Sequence, residues 1–220
     1  MFDFSNTGPA PCPGLPAYSD APSPRPISYQ KAKRSFDIVG SLLILLTTVP
    51  IAATLWFLNP WLNRGPLFFC QTRMGQGCTA FRMIKFRSMR ETAFCNRTAD
   101  SPLETDRITL LGRFLRRSRI DEFPQAINVL RGEMSLIGPR PDMYELAEQY
   151  LRDIPGYRER HSVRPGITGL AQTEIGYVVG TEETRRKVQA DLHYISNASL
   201  GLEAWILWRS ILICGAFKGS

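Results

Sequence analysis

From Ile38 to Asn63 the chain runs through 26 residues without a formal charge, built around Leu42-Leu43-Ile44-Leu45-Leu46 and Ile51-Ala52-Ala53-Thr54-Leu55-Trp56-Phe57-Leu58. No other stretch reaches membrane length. As a straight helix it would extend roughly 39 Å at ~1.5 Å per residue, enough to cross a bilayer. Pro50 stands near its middle, where it removes a backbone donor and crowds the preceding turn, so the pattern predicts two half-helices of about three turns each. Lys31, Lys33 and Arg34 precede the segment and Arg64 follows it, so basic residues flank both ends. A single span would put one basic flank outside. A re-entrant hairpin turning at Pro50 keeps both flanks in the cytosol and is the favoured reading.

Downstream the periodicity shortens. Leu67 to Arg73 and Ala80 to Arg87, separated by Gly75-Gln76-Gly77, alternate with period two and predict a β-hairpin in which Lys85 and Arg87 share one face. Helical spacing then predicts helices over Ile108 to Arg117, Phe123 to Leu130, Met143 to Leu151 and Thr181 to Ile195. Near the C-terminus, Leu202 to Ile213 carries Trp205 and Trp208 among aliphatic residues, and Trp56 and Trp61 close the first apolar segment. Indoles favour the headgroup level, so this last stretch is read as an interfacial amphipathic helix, with a buried core helix as the alternative. No internal repeat is visible.

The expected fold is α+β: a Pro-broken re-entrant membrane helix over residues 28–63, then a catalytic domain over 64–220 holding the small β-hairpin, several helices and the interfacial helix. Residues 1–27 contain seven of the sixteen prolines, few charges and no apolar periodicity, which predicts a disordered arm. No apolar core follows a basic start there, so a cleavable secretory signal is not expected.

Charge and cysteine usage narrow the function. The net charge is +7, and residues 64–131 hold 13 Lys plus Arg against 6 Asp plus Glu. That basic field suits phosphates, anionic lipid or nucleic acid. The five cysteines (Cys12, Cys70, Cys78, Cys95, Cys214) form no C-x-x-C pair, which points to a reducing compartment without a disulfide framework or zinc site.

Candidate chemistry begins at Asp121-Glu122-Phe123-Pro124-Gln125. Proline is tolerated in a first helical turn, so a helix starts near Asp121. The helix end and Arg113, Arg116, Arg117 and Arg119 should keep Asp121 ionised and can hold a phosphate beside it. A carboxylate next to a bound phosphate can act as a nucleophile, and a second carboxylate can bind Mg²⁺. Taken locally, the pair reads first as a helix cap. Gly138-Pro139-Arg140-Pro141 stiffens the backbone around one arginine, as anion recognition favours, and Arg164-Pro165-Gly166-Ile167-Thr168-Gly169 repeats the idea; each is otherwise a tight turn. His161 and His193 are read as structural, His193 with a weak claim on a phosphate.

Six motifs in order are similar to those of the bacterial sugar transferases: Lys33-Arg34-Ser35-Phe36-Asp37, Gly65-Pro66-Leu67-Phe68-Phe69-Cys70-Gln71, Lys85-Phe86-Arg87-Ser88-Met89, Asp121-Glu122-Phe123-Pro124-Gln125, Gly138-Pro139-Arg140-Pro141 and Arg164-Pro165-Gly166-Ile167-Thr168-Gly169. The resemblance covers about residues 31–215. These small polyprenyl-phosphate phosphoglycosyl transferases begin exopolysaccharide, O-antigen and glycoprotein glycan assembly. The resemblance implies a re-entrant helix in the bacterial inner membrane, a cytosolic active site, and a ping-pong transfer of hexose 1-phosphate from a UDP-sugar to undecaprenyl phosphate. By position it implies Asp121 as nucleophile, Glu122 as its Mg²⁺-associated partner, and Lys85, Arg116 and Arg140 as holders of phosphate or nucleotide. Arg87 and Arg164 join these as substrate-binding candidates. Arg119-Ile120 stands where the family usually has Ser-Leu, and Phe123 where it has Leu; the first adds charge beside the nucleophile. Membrane lipid is an expected partner, nucleic acid is not, and a homodimer is the assembly to test. The rival readings are a membrane-tethered nucleic-acid binder and a scaffold without catalysis.

Overall fold

The computed structural model describes residues 25–90, 105–175 and 180–215. Positions 1–24 of the expected arm, together with Cys12 and Cys95, lie outside the described residues. Helix α1 spans Ile27–Leu62 as one helical run with Pro50 and Pro60 inside it. The expected division into two half-helices is therefore corrected: Pro50 interrupts the hydrogen-bond ladder without ending the helix. Threonines on either side fold back onto the helix, Thr48 Oγ1 donating to Ile44 O at 2.7 Å and Thr54 Oγ1 to Pro50 O at 3.0 Å. The helix also begins at Ile27, inside the stretch expected to be disordered.

Two inward faces hold α1 against the rest of the protein. Asp37, 1% exposed, accepts from Ser135 Oγ and the Leu136 amide, both at 2.9 Å. Arg34 donates to the carbonyls of Val129 and Leu130 at 2.7 and 2.9 Å. These are the last carbonyls of a helix, where a cation is favoured. Further along, Leu55 packs with Phe86 and Leu115 in a small apolar cluster. The basic flank Lys33-Arg34 is thus spent on docking rather than left as free topogenic charge.

The hairpin forms as expected, with β1 (Phe68–Met74) antiparallel to β2 (Ala80–Phe86) from Phe68↔Phe86 to Met74↔Ala80. Its turn places Gly77 and Cys78 at φ of 65° and 60°, a left-handed pair that glycine adopts freely and cysteine at some cost. Beyond it come α2 (Leu110–Arg117), capped by Thr109 Oγ1 accepting from the Gly112 amide at 3.0 Å, and α3 (Gln125–Arg131). Asp121 and Glu122 lie in a 3-10 turn, Ile120–Glu122, one step ahead of α3 rather than in its first turn.

The two proline motifs, weighed as anion sites or tight turns, lie at a second sheet that periodicity does not reveal, bonded to each other by Gly138 N to Thr168 O and Gly166 N to Pro139 O. Strand β3 (Ser135–Ile137) pairs in parallel with β4 (Gly166–Thr168). Gly166 lies against the Gly138 backbone so closely that a Cβ there would overlap it. Between them runs α4 (Tyr144–Asp153), and α5 (Leu170–Glu174), α6 (Thr181–Asn197) and α7 (Leu200–Gly215) complete the chain. The main core joins Met74, Met83, Val129, Ile137, Tyr157, Val188, Leu192 and Ile206 across these elements.

Much of the apolar surface stays uncovered. Leu43, Leu46, Val49, Trp56 and Trp61 on α1, Leu110 and Phe114 on α2, and Trp205, Trp208 and Ile211 on α7 are all exposed, while Glu203 and Ile206 turn α7's other side inward.

Candidate active site

Strand β2 carries Lys85 one residue before its end, the 3-10 turn carries Asp121-Glu122, and the segment after β3 carries Arg140. The fold brings these three together. Arg140 forks onto Glu122, Nη2 to Oε1 at 2.5 Å and Nη1 to Oε2 at 3.2 Å. Lys85 Nζ adds a bond to Oε1 at 3.3 Å, and Arg119 Nη1 stands 4.0 Å from Oε2. Both oxygens of Glu122 are thereby engaged. Burial alone would raise its pKa, but Arg140 first and Lys85 second hold it well below the carboxylate range.

Asp121 is different. It is 8% exposed, and among the described residues no hydrogen bond or ion pair engages its carboxylate. Burial, reinforced by the Glu122 charge, raises its pKa to about 6 against the opposing pull of Lys85, Arg116 and Arg140. Asp121 is still mostly ionised at neutral pH, as expected, but its pKa moves up rather than down: Arg113 and Arg117 are exposed on α2, and desolvation outweighs the pull of the nearer cations. Burial likewise lowers Lys85 to about 8, although Glu122 resists.

Arg140 is itself held from behind. Fully buried Arg160 donates Nη2 to the Arg140 carbonyl at 2.8 Å while pairing with Asp142 at 2.6 Å and Asp191 at 2.7 Å. Lys187 completes the network at 2.5 Å from Asp142. Sequence reasoning missed this support, because its members span residues 140 to 191 with no common motif. It also set Arg119 beside Asp121, whereas the structure makes it a third cation near Glu122.

Two expected substrate ligands lie elsewhere. Arg87 follows β2 and turns under the hairpin, its guanidinium donating to Asn63 O while Asn63 Nδ2 donates to Arg87 O at 2.8 Å. Sharing a strand face with Lys85 does not bring it to Glu122. Arg164 is exposed near the start of α1. Arg116 stays close enough to lower Asp121's pKa, and Nη1 rests on Met89 Sδ at 3.3 Å. His161 is structural as expected: Nδ1 lies 3.1 Å from Gly75 O, and burial lowers its pKa to about 4. His193 lies on α6, its ring beside Asn197 and not in this cluster.

Among the described residues, no group of three or more His, Cys, Asp or Glu side chains is placed to hold a metal. Mg²⁺ commonly needs only one or two carboxylates, completing its shell with water and substrate phosphate oxygens. Asp121 fits that role. Glu122, with both oxygens already given to cations, fits it less well than the sequence suggests.

An unengaged buried carboxylate, beside a second one locked by a guanidinium and an ammonium, is equipped for group transfer between anionic substrates. The chain belongs to the bacterial sugar transferase family, whose sequence model matches residues 28–216. It is 40% identical over 188 residues to the UDP-N-acetylgalactosamine-undecaprenyl-phosphate N-acetylgalactosaminephosphotransferase of Aeromonas hydrophila, covering 86% of this chain and 44% of that one. It is 37% identical over 187 residues to the exopolysaccharide production protein PSS of Rhizobium leguminosarum bv. phaseoli, covering 82% and 93%. A third relative, the UDP-glucose:undecaprenyl-phosphate glucose-1-phosphate transferase of Caulobacter vibrioides, is 37% identical over 195 residues, covering 87% and 70%. The chain thus spans less than half of the Aeromonas relative and nearly all of the Rhizobium one. Family and long apolar helix together mark a membrane-associated protein.

Proposed function

We propose that this protein transfers a hexose 1-phosphate from a UDP-sugar to undecaprenyl phosphate, as an early membrane step in building an exopolysaccharide. The observation that carries the reading is the contrast within one buried pair: Glu122 is locked in ion pairs while Asp121 is unengaged. In the first half-reaction Asp121 attacks the sugar-bearing phosphorus of the UDP-sugar. The bond to the UMP oxygen breaks, UMP departs, and the phosphosugar is left on the Asp121 carboxylate. In the second, an oxygen of the polyprenyl phosphate attacks the same phosphorus and frees Asp121.

Lys85 and Arg140 present charge to the phosphoryl oxygens as negative charge builds there. Glu122 keeps both cations in place. When bound, Mg²⁺ would supply charge neutralisation on the diphosphate, with Asp121 the first candidate to hold it. Two anions use one positive site in turn, so their mutual repulsion is never met at once.

The test is UMP release from a panel of UDP-sugars by purified protein with polyprenyl phosphate and Mg²⁺, followed across pH. Asp121 must be ionised, so the rate rises as pH climbs through about 6; Lys85 must be charged, so it falls above about 8. Because the groups interact, both limbs belong to the cluster as a unit. No UMP from any UDP-sugar, or a rate flat from pH 5 to 9, would rule the proposal out.

The topology we favour is re-entrant with the active site on the cytosolic face. Its support is that both ends of α1 bond to one domain: Lys33 donates to Ile137 O at 3.0 Å, and Asn63 Nδ2 to Arg87 O at 2.8 Å. The intervening residues would rise roughly 45 Å as a straight helix, more than the ~30 Å hydrocarbon layer. A span that parted its ends across the bilayer could not keep both bonds. The exposed apolar faces of α1, α2 and α7 are read as the lipid contact. Single cysteines at Ser28 and Arg64, placed in a variant lacking native cysteines, should both react only from the cytosolic side of sealed vesicles. Opposite-side labelling would show a span.

A further inference from the structure

A cavity of about 330 Å³ lies between the first turns of α1, the hairpin tip at Gln76, the Ser162–Arg164 segment and the end of α6. None of Lys85, Asp121, Glu122 or Arg140 lines it. Arg25, Lys33, Arg34 and Arg164 do, and Asp37 is the one carboxylate among the lining residues. Asp37 is already committed to Ser135 and the Leu136 amide. Glu203, outside the lining, takes Lys33 at 2.7 Å. Four cations therefore face two carboxylates, and an excess of positive charge remains.

The partners of these cations fix them without neutralising them. Arg25 donates to Ile195 O at 2.6 Å, and Arg34 to two carbonyls of α3. A neutral carbonyl orients a guanidinium but leaves its charge intact, and each guanidinium keeps further N–H donors. Capping the ends of α6 and α3 accounts for Arg25 and Arg34. It does not account for Arg164, which is exposed, without a bonded partner among the described residues, and at the same cavity. Tyr29 supplies an aromatic wall. The start of α1 has neither a side-chain cap nor an acidic residue in its first turn, so its amides add positive potential.

The volume lies within the usual range for small-ligand sites.

We propose that this cavity is a second phosphate-binding site, separate from the Asp121 centre, whose ligand carries a phosphate ester such as an anionic lipid headgroup. Hydrogen exchange on the full chain in non-ionic detergent tests it, with three probes: inorganic phosphate, short-chain phosphatidylglycerol and short-chain phosphatidylcholine. Phosphatidylglycerol should slow exchange across residues 25–35 and 162–166 in a saturable way, with phosphatidylcholine weaker. Arg25→Gln/Arg164→Gln should raise the half-saturating concentration at least about tenfold, with the same shift for inorganic phosphate and unchanged protection across 117–125. Arg164→Gln alone, at an exposed position, should give part of that shift even if the double variant folds poorly. Protection by inorganic phosphate but not by the lipid would support the site with a soluble ester as its ligand. Protection confined to 117–142, or the same half-saturation in wild type and Arg164→Gln, would overturn it. UMP release reports on the other cluster, so failure here leaves the transferase reading standing.

Discussion

Asp121→Asn is expected to lower turnover by on the order of 10⁴-fold or more while making the protein more stable. An amide of the same shape cannot attack phosphorus as an anion, so no phosphosugar should accumulate on the protein when polyprenyl phosphate is withheld. The stability gain follows from the sign of the pKa shift. Folding raises Asp121 from 3.8 to about 6, so the folded state disfavours its charge. At pH 7 that corresponds to a penalty of about 2–3 kcal/mol, most of which a neutral isostere removes. As pH falls below 6 the wild-type carboxyl takes up its proton and the stability difference shrinks. Thermal unfolding at pH 7 and pH 5, with an adduct assay using labelled UDP-sugar, checks both halves. An active Asp121→Asn enzyme, or an inactive one that melts several degrees lower, contradicts the assignment.

Arg140→Ala should cost about 10²–10³-fold in kcat/KM, with little recovery in Arg140→Lys. The planar fork meets both Glu122 oxygens, a geometry that a lysine ammonium cannot reproduce. Without it, Glu122 keeps Lys85 at 3.3 Å and only a distant Arg119. Stability should fall by roughly 1–3 kcal/mol, less than for a fully buried pair because the Arg140 side chain is 30% exposed. Losing a nearby cation raises the pKa of both carboxyls, so the acid limb of the rate profile should move above 6. Wild-type kcat/KM in Arg140→Lys would show that only the charge matters.

Legibility in the sequence followed the range of the interactions. The hairpin is visible because period-two alternation and a glycine turn are local signals, and its observed register runs from Phe68 to Ala80. The second sheet is not: Ser135–Ile137 and Gly166–Thr168 are three residues each, and their parallel pairing depends on contacts across some thirty residues. At the site, residue types indicated Asp121, Glu122, Lys85 and Arg140, since cations and carboxylates near a proline-locked arginine form a recognisable set. The direction of Asp121's pKa shift was not legible, because burial, absent from a local window, dominates it. Arg87 was misplaced for a related reason: strand alternation orients a side chain only as far as the strand continues, and β2 ends at Phe86. Pro50 was judged by its local cost, yet the helical run continues through it, with Asp37 and Leu55 docked on either side.

The anchoring of α1 sets a schedule for biogenesis. Lys33 waits for Glu203, 170 residues later in the chain. At ~5–20 residues per second, the ribosome makes that partner some 10–30 s after Lys33. For that interval the apolar helix exists without the complete domain that will cover its polar face, and for the first part of it Asp37 has no Leu136 to bind. A bilayer is an apolar phase that could shelter it meanwhile. Membrane insertion would then come before folding of the soluble domain, which would assemble onto a helix already in place.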